Sequence, residues 1–204
     1  MMRRDRLDHI LRAASGVTGH NTFVLVGSSV IVVRCRNIPG DMLMTREADV
    51  YVPDASDIEA LSDMIDANIG QGSAFHNQYG YYADGVSPGT SVMPTDWADR
   101  AQHYQGSGCP GVTAIVPDVE DVALAKVVAW REKDQSWILS GVRAGLFSLE
   151  RMACRIDRMP RAAPDPAEMV RRLRWLAATC GIAFSLPDLL AHGLGPDTKI
   201  NPAP

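Results

Sequence analysis

The stretch "FVLVGSSVIVV", Phe23 to Val33, restricts the fold more than any other part of the chain. Both apolar arms need burial, yet Gly27, Ser28 and Ser29 split them, and the run is too short to span a bilayer. The first arm, "TFVLV", has the length and β-branched character of a strand buried on both faces, and Gly27-Ser28 ends it. The second arm, "SVIVVRC", fits strand or helix by periodicity alone. A turn at "NIPGD" follows, then a second strand, "EADVYV", closed by Pro53.

That second strand carries two acids, Glu47 and Asp49, one residue apart. In an extended chain they point to one face, roughly 7 Å apart along the strand. Convergent carboxylates repel each other unless a cation, a proton or a basic partner lies between them. Two readings stay open here: an edge strand with its polar face in water, or a metal site.

Apolar residues Leu7, Ile10, Leu11 and Ala14 recur at helical spacing and predict an opening helix that stops at Gly16. Ser56 with Glu59 three residues on is a capping-box pattern, which predicts a helix from about Asp57 to Ala67. "QYGYYADGV" reads as a strand, "SPGTSVMPTDW" as a turn-rich connection, and "GVTAIV" as a further strand after the Gly-rich "QGSGCPG". Pro117-Asp118 opens a helix predicted to run unbroken through "VEDVALAKVVAWREKD", and helices follow around Gln135 to Leu146, Ser148 to Ile156 and Ala167 to Thr179. Strands interleaved with helices come first and helices alone come last. The expected class is α/β (α+β), a mixed sheet flanked by helices: a core over residues 1–134 and a helical region over 135–204, with Ala163 to Pro166 as a linker and "GPDTKINPAP" as a frayed tail.

Totals narrow the function classes. The 204 residues carry a formal net charge of −4, which argues against holding nucleic acid through overall charge and leaves a local basic groove open. Cys35, Cys109, Cys154 and Cys180 are scattered without metal-ligand spacing, so reduced thiols in a cytoplasmic protein are expected, with no zinc site. Asp5 and Asp8 interrupt the "MMRR" start before any apolar stretch, which is wrong for a secretory signal, and no membrane partner is expected.

Three pieces stand in order: a strand ending in Gly27-Ser28, a strand bearing acid-x-acid, and a helix carrying Lys126, Arg131, Lys133 and Asp134. Nucleotidyl transfer needs all three. A Gly-Ser turn into a helix offers N–H groups to a triphosphate, which favours the helical reading of "SVIVVRC". Paired carboxylates suit Mg²⁺, and basic residues suit the leaving pyrophosphate. On one continuous helix Lys126 and Lys133 would lie about 20° apart around the axis and face one site. Each piece has a plainer reading: a strand-ending turn, a solvated edge, a solvated helix end. Trp97, Trp130 and Trp137 are expected in the core, and Arg171, Arg172 and Arg174 on a solvated face.

"VGSS" followed by "TREADVYV" resembles the Gly-Ser and acid-x-acid signature of the DNA polymerase β-like nucleotidyltransferase superfamily. "YYADGVSPGTSVMPTDWADR" and "VPDVEDVALAKVVAWREKD" are similar to bacterial nucleotidyltransferase-like proteins related to the AbiEii abortive-infection toxins. The resemblance covers roughly Phe23 to Asp134. It implies that Gly27 and Ser28 touch the phosphates of an NTP, that Glu47 and Asp49 bind Mg²⁺ with Asp84 as a third carboxylate, and that Lys126, with Arg131 and Lys133, contacts the triphosphate. Asp134 would orient a basic residue or stand near the metal. It further implies an acceptor that is RNA, such as a tRNA 3′ end, or a protein side chain, and a toxin paired with an antitoxin. Two departures stand out: Glu47 occupies a position where Asp is commoner, and the Ser28 to Glu47 interval is long, so that "CRNIPGDMLM" reads as an insertion. These departures motivate the alternative of a catalytically silent nucleotidyltransferase fold that binds a protein or nucleic acid. A serine hydrolase built on Ser28 or Ser29 lacks the Gly-x-Ser-x-Gly elbow.

Overall fold

A computed structural model describes residues 1–186. The expected tail "GPDTKINPAP" lies outside the described residues. The chain forms a five-stranded mixed sheet flanked by helices, in the order β3-β2-β1-β5-β4. The strands are β1 (Thr22–Val26), β2 (Glu47–Tyr51), β3 (Tyr82–Gly85), β4 (Gln102–Tyr104) and β5 (Thr113–Val116). β1 runs antiparallel to β2 and parallel to β5, β2 is parallel to β3, and β4 is antiparallel to β5. The central place of β1 follows from its composition, since Phe23, Val24, Leu25 and Val26 are all buried and only an interior strand covers both faces.

The opening helix α1 (Arg4–Thr18) runs past the expected stop at Gly16 and ends at Gly19, whose φ of 73° supplies the left-handed C-cap. After β1 the Gly27–Val30 turn is 3₁₀ and passes into one α turn, α2 (Ile31–Arg34). The helix α3 (Ile58–Ile69) is capped by Asp57, which accepts from the Ala60 N–H at 2.9 Å, rather than by Ser56. Asp57 is one residue nearer the first turn, and its carboxylate also complements the helix dipole.

The predicted "QYGYYADGV" strand begins as helix: Gln78 and Tyr79 close α4 (Ala74–Tyr79), which Ser73 caps and Gly80 ends with φ 74°. β4 was not predicted; its three residues are polar and carry no alternation to read.

The largest correction concerns the helix after Pro117. It breaks at Trp130, with φ 52°, into α5 (Val119–Ala129) and α6 (Glu132–Arg143). Arg172 of α8 (Pro166–Cys180) supplies the reason. Its guanidinium donates to the carbonyls of Val127 and Val128 at 2.7 and 3.1 Å and stacks on the Trp130 ring at 5.1 Å. Those carbonyls are capped by a side chain from a distant helix, so α5 ends without a glycine.

α1 and α3 pack on each other, and α3 packs on β2 and β3. α5 touches the Gly27–Val30 turn and gathers α6, α7 (Leu149–Ala153) and α8. Asp134, the residue at which a core and a helical region were divided in sequence, lies in the first turn of α6. No helix among the described residues is long and apolar enough to cross a membrane.

Candidate active site

Strand register brings the acids together. Asp49 on β2 stands beside Asp84 on β3 and beside Val26 on β1, and Glu47 lies two residues before Asp49 on the same strand. One carboxylate oxygen from each of Glu47, Asp49 and Asp84 lies within 4.8 Å of the other two. The neighbouring turn is fitted to this cluster. Gly27 has φ 69°, and a Cβ there would overlap the Asp49 Oδ2. Only glycine permits both the left-handed backbone and the close approach of the carboxylate.

Like charge in a half-buried place makes the cluster costly. Burial, then Glu47 and Asp84, push the Asp49 carboxyl up to about 7; burial, Glu47 and Asp66 push Asp84 up to about 6. Tyr82 donates its O–H to Glu47 Oε2 at 3.0 Å, and burial followed by this bond raises the phenol above its ordinary value.

These groups form part of the wall of a cleft of about 540 Å³. Gly27, Ser28, Glu47, Asp49, Lys126, Arg131, Lys133 and Asp134 all line it, and Asp84 joins the acids from the next strand. The loop that reads as an insertion contributes Asp41, Met42 and Met44 to the same wall. The candidate site residues therefore line this cleft or, for Asp84, join the acid cluster in its wall, but the basic residues arrive differently from the expectation. Lys126 is on α5, Lys133 on α6 and Arg131 at the break between them, so the shared face of one helix does not exist.

Asp134 holds that break together. It is fully buried, accepts from Lys126 Nζ at 3.0 Å and from Arg131 Nε at 2.6 Å, and ties the end of α5 to the start of α6. Burial works against its ionisation, but the Arg131 hydrogen bond and the Lys126 charge outweigh it and hold the carboxyl below its ordinary value. Its contacts are with cations, not with the three-acid cluster. Lys126 also lies 4.9 Å over the ring of Trp137, which stacks on Phe147.

Sequence reasoning missed Tyr82 and His76, which line the cleft, while Trp137, expected in the core, is buried there and also borders the cleft. Tyr82 pairs with Glu47 across the β2–β3 register, which a strand reading of "YYADGV" could have suggested. The placement of His76 depends on tertiary packing and left no short-range signal.

Chemically, three convergent carboxylates are hard oxygen donors of the kind that holds a divalent cation, and the cations opposite them suit a polyphosphate. No curated protein and no solved structure matches the chain. A family described as a nucleotidyltransferase of unknown function (DUF6036) matches residues 5–175. With most of its length covered, including both walls of the cleft, the chain belongs to that nucleotidyltransferase family.

Proposed function

We propose that the protein is a Mg²⁺-dependent nucleotidyltransferase that moves NMP from an NTP to an acceptor hydroxyl. The observation that carries this reading is the three-carboxylate cluster, pressed against Gly27 and facing Lys126, Arg131 and Lys133 across one cleft. Glu47 and Asp49, with Asp84, would hold the metal, which when bound offsets the repulsion among them and polarises phosphate oxygens. The Gly27-Ser28 turn and the cations hold the triphosphate, and Asp134 fixes two of those cations in position.

In the transfer the acceptor oxygen bonds to the α-phosphorus, the bond from that phosphorus to the α–β bridging oxygen breaks, and pyrophosphate leaves. Lys126 and Arg131 oppose the charge gathering on the pyrophosphate. The hydroxyl proton passes to a carboxylate oxygen of the cluster.

The acceptor in this reading is RNA, with a tRNA 3′ end as one candidate. The proposal extends to kinship with the AbiEii toxins and to a toxin role relieved by a cognate antitoxin protein. Cys35, Cys109, Cys154 and Cys180 are all free thiols, which suits a cytoplasmic setting.

Incubation with each of the four α-³²P NTPs, Mg²⁺, cellular RNA and protein tests the activity. Label that enters RNA with the native chain and not with Asp49→Ala supports the reading and names the nucleotide. Absence of label from a folded sample favours the catalytically silent fold. Growth arrest on expression in a bacterial host tests the toxin role; unchanged growth without an antitoxin counts against it.

A further inference from the structure

His76 stands on the β3 side of the acids, away from α5 and its Lys126, while Arg46, just before β2, also lines the cleft. Gly27 closes β1 on one flank of β2, and α5 and α6 reach the cleft there; β3 and α4 lie on the other flank, with His76 on the cleft wall. One backbone contact and two ring contacts hold it. The His76 backbone N–H donates to the capping Ser73 Oγ at 3.1 Å, the Gly72 N–H donates to His76 Nδ1 at 3.0 Å, and the ring packs 4.6 Å from that of Tyr82, whose O–H reaches Glu47.

The Gly72 bond determines the tautomer. A nitrogen that accepts a hydrogen bond carries no proton, so the neutral ring bears its proton on Nε2. Nδ1 is tied back to the first turn of α4, which leaves Nε2 on the outer edge of the ring. Among the described residues Nε2 has no hydrogen-bond partner. With Nδ1 taken by Gly72, Nε2 is the ring nitrogen left to donate to a ligand in the cleft. Gln71, Thr90 and Ser91 line the cleft with further uncharged polar groups.

Resting on the transferase reading above, we infer that His76 is a positioning residue whose Nε2–H donates to a hydroxyl oxygen of the acceptor beside the one that reacts. The triphosphate belongs with Lys126 and Arg131, which Asp134 holds, so the acceptor comes in from the β3 flank. His76 is one aromatic ring away from Glu47 through Tyr82, which places its donor next to the reacting group and not upon it. The acceptor chemistry this fits is a ribose end. Its two hydroxyls sit on adjacent carbons, so one can stand at the acids while its neighbour accepts from Nε2–H. A serine or tyrosine side chain and a deoxyribose end have no such neighbour.

The test crosses two changes: RNA ending in ribose or in 2′-deoxyribose, and the native chain against His76→Ala and His76→Gln. The native enzyme should favour the ribose end by roughly 3- to 10-fold in kcat/KM, the worth of one half-exposed hydrogen bond. His76→Ala should erase that preference while leaving the rate with the deoxy end little changed, and His76→Gln, which keeps an amide N–H near the Nε2 position, should restore part of it. Equal loss on both ends would make the role merely structural and overturn the assignment, as would transfer untouched by His76→Ala. Exclusive transfer to protein overturns it as well. A ¹⁵N spectrum of the imidazole in the substrate-free protein gives a readout independent of activity: a proton on Nδ1 overturns the donor, and one on Nε2 supports it. Absence of transfer to any acceptor would overturn both the transferase reading and this assignment; loss of the His76 dependence alone would overturn only the latter.

Discussion

Two clusters of three acids sit in this molecule and are treated in opposite ways. Asp118, Glu120 and Asp121, at the start of α5, are each met by arginine. Arg34 and Arg155 bind Asp118 at 2.7 Å, Arg151 binds Glu120 at 2.7 Å, and Arg100 and Arg155 bind Asp121 at 3.0 and 2.9 Å. Among the described residues Glu47, Asp49 and Asp84 have no such partner; Glu47 receives one phenol O–H, and Asp134 holds Lys126 and Arg131. A structural acid cluster brings its countercharge with the fold. The acids of the cleft are left short of it, and that deficit is the mark of a place prepared for a ligand.

The largest expected difference is in activity. Asp49→Asn should lower transfer by about 100-fold or more, the scale of losing one major electrostatic group in an active site, while the metal-free fold becomes more resistant to heat. Asp121→Asn should do the reverse. It leaves Arg100 and Arg155 short of a fully buried partner, and unfolding in urea should show a loss of about 3 kcal/mol. Two melting curves and two rates decide the matter, and equal destabilisation by both substitutions would erase the distinction between the clusters.

Next in size is Gly27→Ala. The added methyl has to displace the Asp49 carboxylate and sit at φ 69°. A stability loss of about 1–2 kcal/mol is expected, with a fall in transfer larger than that loss explains. A variant with full activity would disprove the fit between turn and acid.

pH should move Asp49 and Asp84 in one direction and Asp118 in the other, while Glu120, raised by burial and by Asp118, follows the cleft acids. Asp49 and Asp84 ionise in the folded chain at about 7 and about 6, above their ordinary value of 3.8. Their contribution to stability is therefore fully present below about pH 4 and is lost as pH rises through 6 and 7. Asp118 is held below its ordinary value: burial opposes this, but the hydrogen bond with Glu120 and the Arg155 and Arg34 contacts prevail. Its contribution is present above about pH 4 and is lost on further acidification. Thermal melts in chelator should show a decline from pH 5 to pH 8 that Asp49→Asn flattens and added Mg²⁺ offsets. A flat native profile would contradict the raised values.

The smallest effect belongs to Asp134→Asn. The amide keeps one neutral acceptor for Lys126 and Arg131 but not the charge that fixes them, so a several-fold rise in KM for NTP is expected with little change in the acceptor's KM. An equal rise in both would remove Asp134 from the nucleotide side.

What could be read in advance was what local chemistry decides. The two acids in "EADVYV", the Gly-Ser end of β1, and the helices ending near Leu146 and Thr179 follow from alternation, turn residues and periodicity. Asp84 was named only through the family resemblance, since the parallel β2–β3 register that sets it beside Asp49 leaves no local signal. The break at Trp130 was not legible, since nothing in "VVAWREKD" disfavours a helix; the decision belongs to Arg172, more than forty residues later. His76 was equally hidden: a six-residue helix carries too little periodicity to announce itself, and its ring is set by contacts to Gly72 and Tyr82.

The sheet order also dictates a sequence in time. Synthesis proceeds from the amino end, so β1, β2, β3 and all three cleft acids are complete by Gly85, before any residue of α5 exists. Until Thr113–Val116 emerge, Phe23 to Val26 present an open apolar edge with nothing to pair it, a hazard for association with other chains. A chain halted in that interval would hold the acids without their basic wall. Because β5 both seals that edge and leads directly into α5, the step that protects the strand also delivers Lys126 to the cleft.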